Sequence, residues 1–179
     1  IGKVDLQLIE DEIDQIMDVY PIEFMKTGVL YSGDIIKLVS KKIKEYQLKA
    51  VVDPVMISES GKNLTGDSYV TTFKKYLMKN AYIITPNIHE AENISNKKIE
   101  TEEDMINVAE KLSNSNNTVI TGGHMQGNDI LYTNGEVHKI KGELIKSNNT
   151  HGTGCTYSSA ITSQLINNHD LLESCKLSN

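Results

Sequence analysis

Apolar residues recur at two different spacings along this chain, and the two patterns alternate. Spacing of three and four residues is typical of amphipathic helices, and short β-branched runs are typical of buried strands. The first pattern predicts helices over residues 5–18, 67–78 and 101–112. It also predicts a helix that begins after the capping residue Ser32 and a last helix after Gly152-Thr153-Gly154. The second predicts strands over residues 23–27, 49–53, 82–84 and 118–121.

The alternation of strands and helices also predicts how the elements assemble. Strands joined by crossover helices form parallel sheets with helices on both faces. After the fourth strand the pattern changes, because two alternating segments flank Asn134-Gly135, a dipeptide that favours a two-residue hairpin turn. We therefore expect one α/β domain over residues 1–179, with a mostly parallel central sheet, helices on both faces and a β-hairpin near one edge.

Charge and hydropathy exclude two classes of protein. The 179 residues carry 24 acidic and 18 basic side chains, and this net charge of −6 argues against a general nucleic-acid binder. No apolar run approaches the ~18 residues of a membrane-spanning helix, so no membrane protein is expected. The two cysteines, Cys155 and Cys175, offer neither a disulfide framework nor metal-ligand spacing, which favours a reducing, cytoplasmic location.

All 18 basic residues are lysines, and the absence of arginine limits how the chain can bind anions. Without a guanidinium group, a phosphate must be held by lysine, by backbone amides or by a metal ion. Lys26, at a predicted strand end before Gly28, is either a cation that reaches a ligand or a solvated charge at the sheet edge.

The segment Gly152-Thr153-Gly154-Cys155 is the first candidate site. It opens a predicted helix, whose first backbone amides lack intrahelical partners and together with the helix dipole favour a bound anion. Cys155 then lies in the first helical turn, where the pKa of a thiol falls below ~8.5. The alternative is a tight turn with Cys155 as a small buried apolar residue, and spacing alone does not decide between the two.

Two carboxylates form the second candidate site, because Asp53 and Glu90 each follow the end of a predicted strand. Carboxylate oxygens on adjacent strand ends suit a hydrated Mg²⁺ ion. The alternative is structural, with Asp53 in a turn and Glu90 at a helix start, where its charge complements the helix dipole. On these two residues alone the structural alternative is favoured.

Five segments occur in an order that resembles one enzyme family. They are Lys26-Thr27-Gly28, Asp53-Pro54-Val55-Met56 with Ser60-Gly61, Thr85-Pro86-Asn87 with Glu90-Ala91-Glu92, Gly122-Gly123-His124, and Thr150-His151-Gly152-Thr153-Gly154-Cys155-Thr156. Over essentially the whole chain this resembles the hydroxymethylpyrimidine/phosphomethylpyrimidine kinases of thiamine biosynthesis, a branch of the ribokinase-like superfamily. Cys155 is the specific feature, since most ribokinase-like enzymes have an aspartate as general base at that place.

The resemblance implies a reaction and a set of site residues. The family uses Mg-ATP to phosphorylate 4-amino-5-hydroxymethyl-2-methylpyrimidine and then its monophosphate. By resemblance, Cys155 takes the proton of the hydroxymethyl group, while the amides of Gly152, Thr153 and Gly154 hold the transferring phosphoryl group. The other implied contacts are Val29, Val55 and His151 with the pyrimidine, Asn87, Thr121 and Gly123 with ATP, and Asp53 and Glu90 with Mg²⁺ through water.

Two other interpretations stay open. A pyridoxal or pyridoxine kinase shares the fold and several motifs, and Cys155 discriminates against it only in part. A non-catalytic pyrimidine-binding domain of a fusion protein is the other, although the presence of Cys155 and Glu90 argues against it. From the resemblance we also expect that family segments before Ile1 and after Asn179 are missing here, and a homodimer is left open.

Overall fold

The computed structural model describes residues 4–56, 69–113, 116–123, 127–143 and 152–179, and strands in this part of the chain form a six-stranded sheet. The strands are β1 (Phe24–Thr27), β2 (Lys49–Val52), β3 (Ile83–Ile84), β4 (Asn117–Ile120), β5 (Asp129–Thr133) and β6 (Glu136–Ile140). They lie in the sheet in chain order. β1 to β4 are parallel, whereas β5 and β6 are antiparallel to their neighbours, so the predicted α/β class and mostly parallel sheet are confirmed.

The hairpin between β5 and β6 forms where Asn134-Gly135 predicts it. Asn134 has a φ of 53° and Gly135 a φ of 82°, and Thr133 pairs with Glu136 across the turn. A two-residue turn whose backbone twist matches that of the strands needs positive φ at both central positions, which asparagine and glycine adopt most readily.

Helices cover much of the remaining chain and agree with the predicted patterns at most positions. They are α1 (Leu6–Val19), α2 (Gly33–Glu45), α3 (Tyr69–Thr72), α4 (Ile88–Ser95), α5 (Glu102–Leu112), α6 (Thr153–Ile166) and α7 (Leu171–Ser178). The Ser32 hydroxyl accepts from the Ile35 amide at the start of α2. Thr101 and Asp104 form a reciprocal capping box at the start of α5. The predicted capping signals are confirmed at both helices.

The helix predicted over residues 67–78 is confirmed in its described part, but it is not a regular α-helix. After α3 the chain continues as a π-helical segment, Phe73–Leu77, and a 3-10 turn, Met78–Asn80. Phe73 and Leu77 are both buried in the core. The Asn80 side chain donates 2.7 Å bonds to the Tyr76 carbonyl and to Ser40 Oγ of α2. The contact with Ser40 is tertiary, and a helical periodicity does not reveal it.

Successive residues of the strands pack against helices on opposite faces of the sheet. Ala50 and Val52 of β2 belong to a core with α2, α4 and α5, whereas Val51 packs with α6 and α7. This alternation follows from the two-residue period of strand side chains and confirms the predicted helices on both faces. Among the described residues, no helix is both long and apolar enough to cross a membrane.

Candidate active site

The carboxyl ends of the parallel strands are held in line by backbone hydrogen bonds just beyond the strands. The amide of Asp53 donates to the Thr27 carbonyl at 3.1 Å, and the amide of Thr121 donates to the Pro86 carbonyl at 3.0 Å. The residues that follow the strands are therefore fixed along one edge of the sheet, the edge at which ligands of open α/β sheets bind.

Asp53 connects this edge to α6. Its side chain is buried, with Lys26 Nζ 3.6 Å from Oδ2. Ser158, fully buried on α6, lies with its hydroxyl 3.3 Å from the same carboxylate oxygen. The Ser158 hydroxyl is also 3.1 Å from the carbonyls of Gly154 and Cys155, one turn earlier in the helix. Asp53 thus faces the first turn of α6, which carries the predicted catalytic segment.

Cys155 lies in this first turn with an exposed side chain, but its acidity differs from the prediction. Withdrawal of the sulfur from water and the negative charge of Asp53 raise the pKa of the Cys155 thiol, and the positive charge of Lys26 offsets only part of this. The interaction of the thiol with the Asp53 carboxylate favours the protonated form of the thiol. The predicted lowering of the thiol pKa is therefore wrong, because withdrawal of the sulfur from water and the nearby carboxylates outweigh the helix terminus.

The N-terminus of α6 is open at its two glycines. Gly152 occupies the N-cap with a φ of 82° and has no side chain that could cap the helix. A Cβ added at Gly152 or at Gly154 would meet no atom of the described residues within 4 Å. Space is therefore available beside the first turn for an anion, the ligand that a helix N-terminus favours. The other predicted substrate contact of this segment, His151, lies outside the described residues.

Glu90 lies in the first turn of α4, at the helix start expected as its structural alternative, and the spacing Asn87-x-x-Glu90 is that of a capping box. The Asn87 amide donates to Glu90 Oε2 at 3.0 Å, and the Glu90 amide donates to Asn87 Oδ1 at 2.9 Å. Burial, assisted by the charge of Asp53, raises the pKa of Glu90 to about 7 against the opposing amides of Asn87 and Met56. The structural role considered for Glu90 is thus confirmed, and a metal-binding role stays a prediction.

Asp53 and Glu90 nevertheless fit a magnesium ion. Their electrostatic interaction shows that the two buried carboxylates share one environment. Within the described ranges, no group of three or more histidine, cysteine, aspartate or glutamate side chains could hold a metal. Two hard oxygen donors without nitrogen or sulfur suit Mg²⁺, which keeps several of its waters, better than zinc.

The other predicted site residues lie at the same edge with different exposure. Val29 is 49% exposed, and Val55 and Thr121 are partly buried. Gly123 is exposed. The side-chain oxygen of Asn87 is engaged in the cap, so its amide group is the part that could contact a phosphate.

Sequence reasoning missed two polar residues at this site, Ser158 and Asp129. Asp129 is buried at the start of β5, and its Oδ1 accepts from the Gly122 amide at 3.0 Å. It thereby holds the loop that begins with Gly122-Gly123. A carboxylate at the first position of a strand gives no recognisable signal, and neither does a serine inside a helix, so both contacts needed the tertiary structure.

The raised pKa of Glu90 makes the stability of the metal-free protein depend on pH. Neutral Glu90 favours the folded state, so its contribution is present below pH 4.5 and is lost as the pH rises through about 7. We expect the free energy of unfolding in EDTA to fall between pH 5 and pH 8, and Glu90→Gln to flatten this decline. Urea titrations at pH 5 and pH 8 measure the free energy of unfolding of each protein. The exposed Glu103→Gln should keep the decline, and an equally steep decline in Glu90→Gln would contradict the assignment.

Comparison with known proteins adds evidence of family. The phosphomethylpyrimidine kinase family matches residues 1–179. The chain is 37% identical to the thiamine biosynthesis bifunctional protein ThiED of Geobacter sulfurreducens over 92% of its own length and 35% of that protein. It is 34% identical to the hydroxymethylpyrimidine/phosphomethylpyrimidine kinase of Bacillus subtilis, over 92% of this chain and 63% of the relative. The chain therefore spans less than two thirds of either relative.

A solved structure agrees with the fold. The ADP complex of Bacillus subtilis pyridoxal kinase superposes with a TM-score of 0.89 at 34% identity, covering 98% of this chain and 68% of that one. The predicted ribokinase-like fold is thus confirmed. With a family match over its whole length, the chain belongs to the phosphomethylpyrimidine kinase family.

Proposed function

We propose that this chain is the kinase domain of an enzyme that uses ATP to phosphorylate 4-amino-5-hydroxymethyl-2-methylpyrimidine and then its monophosphate. The observation that carries the proposal is the position of Cys155, exposed in the first turn of α6 and within the electrostatic influence of Asp53. A substrate hydroxyl bound at the N-terminus of α6 would meet a proton acceptor and the first backbone amides of the helix together. That combination is what phosphoryl transfer to an alcohol requires.

In this mechanism Cys155 acts as the general base. The Cys155 thiol first loses its own proton to solvent, and the thiolate then accepts the proton of the acceptor hydroxyl. The first amides of α6, from Gly152 to Gly154, stabilise the charge on the transferring phosphoryl group. Asp53 and Glu90 would hold Mg²⁺ through water. When bound, the ion supplies positive charge that offsets the phosphates.

Asn87, Thr121 and Gly123 are the proposed ATP contacts, and Val29, Val55 and His151 the proposed pyrimidine contacts. The bound ADP of the structural relative supports the use of ATP by this chain. The two packing faces share one sheet, which supports a single domain over residues 1–179. Both cysteines are free, which supports a cytoplasmic location.

Pyridoxine is the second candidate acceptor, because the structural relative at 34% identity is a pyridoxal kinase. Both acceptors present a hydroxymethyl group on a nitrogen heterocycle, so the same base and the same helix terminus would serve either. The lining of the ring pocket, where Val29 and Val55 are proposed to lie, would decide the preference.

Steady-state kinetics of the full-length protein test the function. We expect ATP-dependent phosphorylation of the hydroxymethylpyrimidine, abolished by EDTA and restored by Mg²⁺, with a higher kcat/KM than for pyridoxine. The same assay with pyridoxine and pyridoxal provides the comparison. A protein that phosphorylates pyridoxine but leaves the pyrimidine unchanged would replace the first proposal with the second.

A further inference from the structure

Lys26 is a charged group at the candidate active site to which the proposed mechanism assigns no role. Its side chain is only 21% exposed, and its Nζ lies 3.6 Å from Asp53 Oδ2. At this distance the two groups form an ion pair but no direct hydrogen bond. The three N–H donors of the ammonium group are therefore not committed to Asp53 and are available to a ligand oxygen.

The register of the sheet places Lys26 on the same face as α6. Lys26 of β1 pairs with Val51 of β2, and Val51 packs in the core formed with α6. Residues paired on neighbouring strands share a face of the sheet, so Lys26 lies on the face that α6 covers. A Cβ at Gly28 would be 3.3 Å from Lys26 Nζ, so Gly28 leaves room for the ammonium group.

The charges around Cys155 make a cation necessary for one of the two proposed acceptors. Burial and the negative charge of Asp53 raise the pKa of Cys155, Lys26 acts against them, and Glu90 adds to them. A phosphate monoester acceptor carries up to two negative charges and must approach the same place. The chain has no arginine, so a lysine, the backbone or a metal ion has to offset this repulsion.

We propose that Lys26 binds the phosphate group of a phosphate-monoester acceptor and thereby determines whether the second phosphorylation proceeds. The inference rests on the proposed function. The unphosphorylated alcohol carries no charge at this point and depends less on Lys26. A lysine ammonium is suited to this task, because it can donate to a phosphate oxygen while its charge still faces Asp53.

The test compares the two acceptors in the full-length Lys26→Met variant. We expect kcat/KM for the pyrimidine monophosphate to fall about 10–100-fold more than kcat/KM for the hydroxymethylpyrimidine, as for the loss of a charge-assisted hydrogen bond. Lys49→Met is the matched control. Lys49 begins the neighbouring strand β2 and pairs with Glu23, so its removal should leave the ratio of the two constants unchanged.

Two outcomes would overturn the proposal. Equal losses with both acceptors would mean that Lys26 serves the transferring phosphoryl group or Cys155, and no loss would mean that it contacts no phosphate. Thermal unfolding tests the phosphate-binding role of Lys26 without turnover, and therefore independently of the proposed function. Inorganic phosphate at low salt should raise the Tm of the wild type more than that of Lys26→Met. If the wild type phosphorylates neither pyrimidine, the proposed function fails, and equal Tm shifts in the two proteins would then refute the role of Lys26.

Discussion

Replacing Cys155 by alanine is expected to lower kcat of the full-length enzyme by about 10²–10⁴ while leaving the affinity for ATP nearly unchanged. The reason is geometric, since the exposed thiol in the first turn of α6 is the group positioned to take the acceptor proton. Cys155→Asp should retain part of the activity, because a carboxylate can accept the same proton. The measurement is kcat per folded molecule, with the folded fraction determined by unfolding.

The second cysteine provides a matched control. Cys175 is fully buried against α6, and burial raises the pKa of its thiol to about 12. Cys175→Ala should therefore lower stability and spare turnover. In metal-free buffer, alkylation of Cys155 by iodoacetamide should follow an apparent pKa above that of an ordinary thiol, because burial and Asp53 raise it. Near-native turnover in Cys155→Ala would remove Cys155 from the mechanism.

Replacing Gly122 by alanine is expected to be strongly destabilising. A Cβ at this position would lie 1.8 Å from the Asn128 carbonyl oxygen, a backbone atom that cannot move aside without shifting the chain. The shift would also break the bond from the Gly122 amide to Asp129. We expect a loss of about 3 kcal/mol or more, measured by urea unfolding, with Tm lower by roughly 6–12 °C.

Gly123→Ala is the control that distinguishes a steric clash at Gly122 from the general effect of replacing a glycine in this segment. Among the described residues, a Cβ at Gly123 would meet nothing within 4 Å, so Gly123→Ala should change stability by less than about 0.5 kcal/mol. If Gly123 contacts ATP as proposed, the same variant should raise KM for ATP without unfolding the protein. Equal stability of the Gly122→Ala and Gly123→Ala variants would contradict the prediction, because it would show that the backbone at Asn128 can move aside for a Cβ at Gly122.

Where the determinant of a structure is local, the sequence predicted it well. Asn134-Gly135 carries its own preference for positive φ, so the hairpin follows from two residues. The caps at Ser32 and Thr101 are equally local, since each side chain binds an amide three residues further on. The residues after the strands could also be grouped in advance, because parallel strands end at one edge of a sheet.

Where contacts come from distant segments, the sequence was silent or misleading. The helix predicted over residues 67–78 contains a π-helical segment. The side-chain amide of Asn80, which follows this segment, donates a hydrogen bond to Ser40, 40 residues away in the chain. The Ser158 hydroxyl contacts the Asp53 carboxylate, although the two residues are 105 positions apart in the chain. The spacing of residues along the chain does not predict this pair. Chain spacing carries no information on which distant side chains meet, because that is decided when the helices pack on the sheet.

The pKa of Cys155 shows most clearly which properties the sequence determines and which only the folded structure determines. The sequence alone determined the order of elements, the class of sheet, the motifs of the family and the position of a cysteine at the start of a helix. It predicted a lowered thiol pKa because a helix N-terminus is a local source of positive potential. Folding brings Asp53 and Glu90 beside that thiol and withdraws it from water, and the pKa rises instead. Electrostatic energies depend on distance in space and on burial, and both exist only once the chain has folded.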